Sequence, residues 1–263
     1  MARIFVLMSG KGGVGKSTLS SSLAVHYARK GLKTTLLDGD IGLRCADLML
    51  GLQDRVVFDL GDLLENHCAP EKALVSPAAL PRLSLLAAPQ LLRHSDIKEK
   101  DFLRVVKRLS DRQDILLIDA PAGIGRGLKN LLGTAGKSIL VATPDDVSVR
   151  DAERLAALLA ERGEMHPGII FNRVNRRLIR RGEMTPPAAL AAALDLPLMG
   201  VLPESPEIYR ALLSHKTALD CGDKQVAQAV ENIAARLLGA DVPLPNDAPR
   251  AFLRFFRKGG DPV

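Results

Sequence analysis

Aromatic side chains are scarce: Phe and Tyr make up 3% of the 263 residues and tryptophan is absent. Leu, Ala and Val must therefore fill the core, and 47% hydrophobic with 25% charged residues is the balance of one ordinary globular domain. Cysteine is nearly as rare. Cys45, Cys68 and Cys221 are odd in number and widely spaced, with no Cys-x-x-Cys, which argues against a disulfide framework and against a zinc or iron–sulfur site. His26, His67, His94, His166 and His215 form no ligand pattern. No apolar run approaches the roughly 18 residues of a membrane span, and the run Ile4 to Met8 is too short for a secretory signal. A protein that is neither secreted nor membrane-spanning is expected.

Acids are missing from two segments. Residues 173–181 hold Arg173, Arg176, Arg177, Arg180 and Arg181, and residues 250–258 hold Arg250, Arg254, Arg257 and Lys258, with no Asp or Glu in either. The chain carries a net charge of +6, yet outside these segments it is net acidic. Its basicity belongs to particular surfaces, not to a general coating of nucleic acid.

What is present is organised around Ser9-Gly10-Lys11-Gly12-Gly13-Val14-Gly15-Lys16-Ser17-Thr18, directly after the apolar run Ile4-Phe5-Val6-Leu7-Met8. A buried strand ending in a glycine-rich turn that opens a helix is the setting of a phosphate-binding loop, and Gly10-x4-Gly15-Lys16-Ser17 fits its spacing. The glycines leave no Cβ in the way of a polyphosphate, so that successive N–H groups turn inward around it. The helix start adds its positive end. Lys16 is expected on the β and γ phosphates of ATP and the Ser17 hydroxyl on Mg²⁺. A plain glycine turn would not need Gly-Lys-Ser after the glycines.

Lys11 is not needed to hold one nucleotide. Its bland reading is a solvated loop lysine, but Lys-Gly-Gly-x-Gly-Lys-Ser-Thr is a deviant form of the loop, and through it the chain resembles the MinD/ParA group of dimerising ATPases. The resemblance implies that Lys11 crosses a homodimer interface to the partner's nucleotide. A cation supplied in trans would act as an arginine finger does and make dimerisation a condition for hydrolysis.

Further along, Leu19, Leu23 and Tyr27 mark one face of a helix over 18–30, with Gly31 as its cap. A strand over 34–37 ends in Asp38-Gly39-Asp40, at the ligand edge of an open sheet. Either acid could be a helix cap; the resemblance makes Asp40 position the attacking water and Asp38 support Lys16 or the Mg²⁺ shell. Residues 47–80 say little. Leu83 to Ala87 reads as a strand and Phe102, Val105, Val106 and Leu109 as one helical face. Ile115 to Ile118 then lead into Asp119-Ala120-Pro121-Ala122-Gly123, where Asp119 reads as the acid that contacts Mg²⁺ through water; by resemblance the Gly123 N–H senses the γ-phosphate.

A strand over 138–142 stops at Pro144, and a helix over 151–162 is expected, with Asp146 as its cap. By resemblance this segment packs against a partner subunit. The strand 168–172 ends in Asn172, which by resemblance hydrogen-bonds adenine, while Pro203-Glu204-Ser205 closes over the base; Ser205 departs from the acid more usual there. The arginines of 173–181 read as a solvated loop beside the nucleotide. A helix over 223–238 carries Val226, Val230, Ile233 and Leu237 on one face.

Residues 239–249, with Pro243, Pro245 and Pro249, read as a flexible linker after an ATPase domain of 1–238. Beyond it, at about 100° per residue, Phe252, Leu253, Phe255 and Phe256 share one arc of a helix while Arg250, Arg254, Arg257 and Lys258 share the other. Residues 250–263 therefore read as an amphipathic membrane-targeting tail. The combination is similar to the septum-site-determining branch of the family. That resemblance implies a mostly parallel, twisted α/β sheet flanked by helices on both faces. It also implies an ATP-bound homodimer on anionic lipids of the inner membrane, recruitment of the division inhibitor MinC, and a stimulator of MinE type; nucleic acid is not an expected partner. A DNA-partition ATPase and a flagellar-number ATPase of the same family are the alternatives.

Overall fold

The computed structural model describes residues 2–245 apart from 91, 93–96, 130, 132 and 135. Residues 246–263, and with them the end of the linker and the whole tail including Phe252, Leu253, Arg254, Phe255, Phe256, Arg257 and Lys258, lie outside the described residues.

Among the described residues eight strands form one sheet: β1 (Arg3–Ser9), β2 (Thr34–Asp38), β3 (Leu74–Val75), β4 (Leu83–Leu86), β5 (Ile115–Ala122), β6 (Lys137–Ala142), β7 (Gly168–Val174) and β8 (Leu198–Pro203). Their order is β3-β4-β2-β5-β1-β6-β7-β8, parallel throughout except for the short edge pair of β3 with β4. Central parallel strands are covered on both faces, so they read as continuous apolar runs, not as alternation. Phe5 to Met8 and Ile115 to Ile118 are such runs, and all are buried.

Helices α1 (Lys16–Arg29) and α11 (Lys224–Leu237) cover one face, where Leu19, Leu23 and Tyr27 meet Val226, Val230 and Ile233. Helices α5 (Glu99–Ser110) and α7 (Asp146–Ala160) cover the other, through Phe102, Val105, Leu155 and Leu159. The single apolar face expected of α1 is an understatement. Almost every residue from Lys16 to Ala28 is buried, because α11, beside it on the same face of the sheet, and the segments Ala46–Met49 and Ala218–Asp220 all pack against the sides that the sheet leaves uncovered. Its serines tolerate this by returning their hydroxyls to the backbone: Ser20 Oγ donates to the Lys16 carbonyl at 2.9 Å and Ser22 Oγ to that of Thr18 at 2.6 Å.

Two boundaries differ from expectation. Helix α7 starts at Asp146 and its cap is Asp145, whose carboxylate accepts from the Ser148 N–H at 3.0 Å. The arginine-rich stretch is not a loop: α8 (Arg176–Arg181) is a helix capped by Asn175 and anchored in the core by Ile179. The first part of the linker is also tied down, since Arg236 donates to the carbonyls of Val242 at 2.9 Å and Pro243 at 2.6 Å. Among the described residues no helix is long and apolar enough to cross a membrane.

Candidate active site

From β1 the chain first builds the β2 side of the sheet, returns through β5, and only then adds β6, β7 and β8 on the other side of β1. The C-terminal end of β1 is therefore a topological switch point, where open α/β sheets bind ligands. The glycine-rich loop occupies it. Gly13 and Gly15 take φ of 79° and 89°, conformations that L side chains rarely adopt. No side chain caps α1 and no acid sits in its first turn, which leaves its positive end facing the loop. Ser17, half-buried, and Thr18, buried, follow at once.

Both lysines of the loop are held by acids of this same chain. Lys16 is buried and donates to Asp119 Oδ1 at 2.9 Å, and the same oxygen lies 2.8 Å from Ser20 Oγ, whose single proton it shares with the Lys16 carbonyl. Lys11 pairs with Asp145 at 3.1 Å on the rim. The Asp145 carboxyl is held below the usual range: burial pushes it up, but the Thr143 hydroxyl, the Ser148 N–H and Lys11 outweigh that. Asp145, Ser20 and Thr143 were not singled out from the sequence. Of the two adjacent acids after Pro144 the sequence reading takes Asp146 as the cap, one residue past the true one, and Ser20 is hidden in a serine run.

Asp38 and Asp119 are register partners on β2 and β5, and both are buried. The Asp38 carboxylate does not hydrogen-bond Lys16. Its oxygens accept from the backbone N–H groups of Asp40, at 3.0 Å, Cys45, at 3.1 Å, and Ala46, at 3.0 Å, so it holds the turn 39–45 and the start of α2 (Ala46–Met49). Burial, and then the neighbouring Asp119, push the Asp38 carboxyl up to about 7. Asp40 is half-buried at the start of that turn. The Gly123 N–H, expected on a γ-phosphate, instead donates to the Ser9 carbonyl at 2.8 Å, tying the end of β5 to the root of the loop.

On the β7–β8 side lies a cleft of about 1030 Å³, walled by Gly15, Thr18, Asn172, Pro203, Glu204 and Tyr209, with Arg177 and Arg180 of α8 at its far end. Asn172 is buried and already engaged: its Nδ2 donates to the Val14 carbonyl at 2.7 Å and its Oδ1 accepts from the Arg173 N–H at 2.8 Å. Each amide group keeps one further hydrogen-bonding position for a base edge. Ser205 caps α10 (Pro206–Leu213) and donates to Asp223 at 2.8 Å, which accounts for a serine here.

The loop, its two lysines and the acids at the ends of β2 and β5 thus lie around one switch point. A family model named ParA, described as NUBPL iron-transfer P-loop NTPase, matches residues 1–238. The chain belongs to the MinD/ParA family of P-loop ATPases. It is 35% identical to the septum site-determining protein MinD of Thermotoga maritima over 94% of this chain and 92% of that one. It resembles MinD in the MinC:MinD cell division protein complex of Aquifex aeolicus with a TM-score of 0.86, at 33% identity over 93% of this chain and 99% of that one. The Pyrococcus horikoshii MinD complexed with Mg-ADP gives 0.79, at 30% identity over 92% and 100%. As a MinD/ParA ATPase the chain hydrolyses ATP with Mg²⁺, and its residues fit that ligand. The helix end has no side-chain cap, Lys16 is buried beside it, and the Ser9 hydroxyl at the root of the loop is buried with no hydrogen-bond partner among the described residues. The iron-transfer wording belongs to the family description; Cys45, Cys68 and Cys221 are free thiols here.

Proposed function

We propose that this chain is a septum-positioning ATPase of the cytoplasmic face of the inner membrane. ATP brings two copies together, their paired tails bind anionic lipid, the dimer recruits the division inhibitor MinC, and hydrolysis stimulated by a MinE-type regulator releases it. The observation that carries the reading is Lys11 on the outer rim of the phosphate loop, half-exposed and held by Asp145, a lysine that the chain's own nucleotide does not require. Leu43, Ile124 and Val147, at 70%, 50% and 63% exposed, stand around the same edge of the sheet and suit burial against a second copy. The likeness to relatives named for septum-site determination, and to a MinD solved with MinC, supports the division role.

In this reading Gly10 to Thr18 wrap the phosphates, Ser17 would ligate Mg²⁺ with Asp119 and Asp38 behind it, and Gly123 senses the γ-phosphate once its N–H leaves the Ser9 carbonyl. Asn172 and Pro203 hold the base, and Asp40 orients the water. Mg²⁺ held at Ser17 would supply charge neutralisation for the phosphates. Lys16 must pass from Asp119 to the nucleotide, and Lys11 from Asp145 to the partner's phosphates.

Magnitudes explain why two tails are needed. Four apolar side chains contribute at most roughly 1.5–3 kcal/mol each, and each cation about 1 kcal/mol on an anionic leaflet. Ordering each residue costs about 1–2 kcal/mol. One tail is marginal, whereas the second of a linked pair engages at high effective concentration.

Sedimentation with anionic vesicles tests the reading. Binding is expected with ATP and Mg²⁺, weak with ADP, and lost in Phe255→Asp or on deletion after Asp247. Equal sedimentation in ADP would refute the switch. Retention on DNA that survives loss of the tail would instead favour a partition role, for which the arginines of α8 at the cleft are the best support.

A further inference from the structure

Strands β7 and β8 shift register twice: β8 has an extra residue between Ile169 and Ile170, and β7 has one between Phe171 and Val174. Phe171 is opposite Val201, yet Val174 is opposite Pro203, so the pair Asn172–Arg173 forms a bulge. In a regular strand neighbouring side chains point to opposite faces, and only one of the two could reach the phosphate loop. Here Arg173 takes a left-handed φ of 56°, with its N–H bound to the Asn172 side chain at 2.8 Å, and both side chains arrive at the same place. Asn172 Nδ2 donates to the Val14 carbonyl and Arg173 Nη2 to the Gly13 carbonyl, each at 2.7 Å. Gly15 leaves room for this: a Cβ built there would lie 2.1 Å from Asn172 Nδ2.

We propose that the β7 bulge is a two-pronged clamp on the phosphate loop, with Arg173 as a positioning residue for nucleotide binding and Asn172 as the link between the base wall and the loop. Two successive carbonyls are drawn outward by side-chain donors, which leaves the N–H groups of the same peptides free to converge on a polyphosphate. The donors are needed because a glycine-rich loop otherwise samples many conformations in which those N–H groups diverge. The clamp therefore acts on the phosphate portion of the ligand even though its residues lie at the base end of the site. Asn172 engaged with Val14 still has an amide hydrogen and a lone pair for a base, so a base seated there stiffens the same contact.

The test compares ATP with inorganic tripolyphosphate, both with Mg²⁺, by calorimetry on the full chain. A hydrogen bond from a charged donor is worth enough for a loss of about ten-fold in affinity. Arg173→Ala is expected to lose about that factor for both ligands, with KM raised, kcat at saturating ATP little changed, and Arg173→Lys recovering part of the loss. Asn172→Asp, which keeps the acceptor for Arg173 but removes the donor to Val14, is expected to weaken tripolyphosphate binding as well. A loss confined to ATP would make Arg173 a nucleoside contact and overturn the clamp, as would no loss for either ligand. So would a loss that comes with a lower unfolding midpoint of the nucleotide-free protein, which would assign Arg173 to the fold.

Discussion

Lys11 Nζ lies 3.1 Å from the nearer carboxylate oxygen of Asp145, across the open end of the phosphate loop. The lysine that distinguishes this loop is thus latched within its own subunit. With side chains 34% and 49% exposed the pair is screened by water, and such pairs contribute about 0–1 kcal/mol. That is weak enough for a partner's phosphates to break. Asp145→Asn should therefore shift ATP-dependent dimerisation toward the dimer by no more than about five-fold, measured by analytical ultracentrifugation. Lys11→Ala should still bind ATP while losing productive dimerisation and hydrolysis. Turnover at the wild-type rate in Lys11→Ala would remove the lysine from the mechanism.

The buried pair Lys16–Asp119 behaves differently. Removing one member of a buried ion pair leaves an uncompensated charge and costs roughly 3–5 kcal/mol. Without nucleotide, Asp119→Ala should lose about that much in urea unfolding, and the double variant Lys16→Met with Asp119→Ala should recover most of it. Nucleotide binding should be absent from the double variant.

Asp38 makes stability depend on pH. Its carboxyl is pushed up to about 7, above the 3.8 of a free carboxylate, so the native state holds a proton that the unfolded chain has released. That favourable contribution is complete below about pH 4 and disappears as pH rises through about 7. The unfolding midpoint of the nucleotide-free protein should fall over that window, and Asp38→Asn should flatten the slope. An identical slope in the variant would assign the dependence to other groups.

Asp40 sits on the turn that Asp38 anchors. Asp40→Ala should bind ATP with near-normal affinity and dimerise, yet hydrolyse it at least about a hundred-fold more slowly, the scale of a lost general-base contribution. Single-turnover measurements on the preformed ATP complex separate this from a binding defect. Hydrolysis at an unchanged rate would hand the water to another group.

Most of the framework was legible because parallel strands buried on both faces leave apolar runs, and the runs met their expected strands within a residue or two, except that β5 continues past Ile118 to Ala122. The places that were not legible share a cause. Asp145 displaced Asp146 as the cap, α8 replaced an expected loop, and α1 is buried all round, because in each case a neighbour distant in sequence decided the outcome. Local pattern holds no record of α11 lying beside α1, or of the Ser9 carbonyl waiting for the Gly123 N–H.

Sequence alone was enough to determine the class of chemistry: Gly10-x4-Gly15-Lys16-Ser17 after a buried strand has the spacing of a phosphate-binding loop, and Lys11 marks its deviant form. Only the tertiary structure decided how those groups rest: Lys16 on Asp119, Lys11 on Asp145, Asn172 and Arg173 on the loop carbonyls. The reason is physical. A motif is set by neighbours along the chain, whereas the partner of a charge or a carbonyl is set by which strands lie side by side.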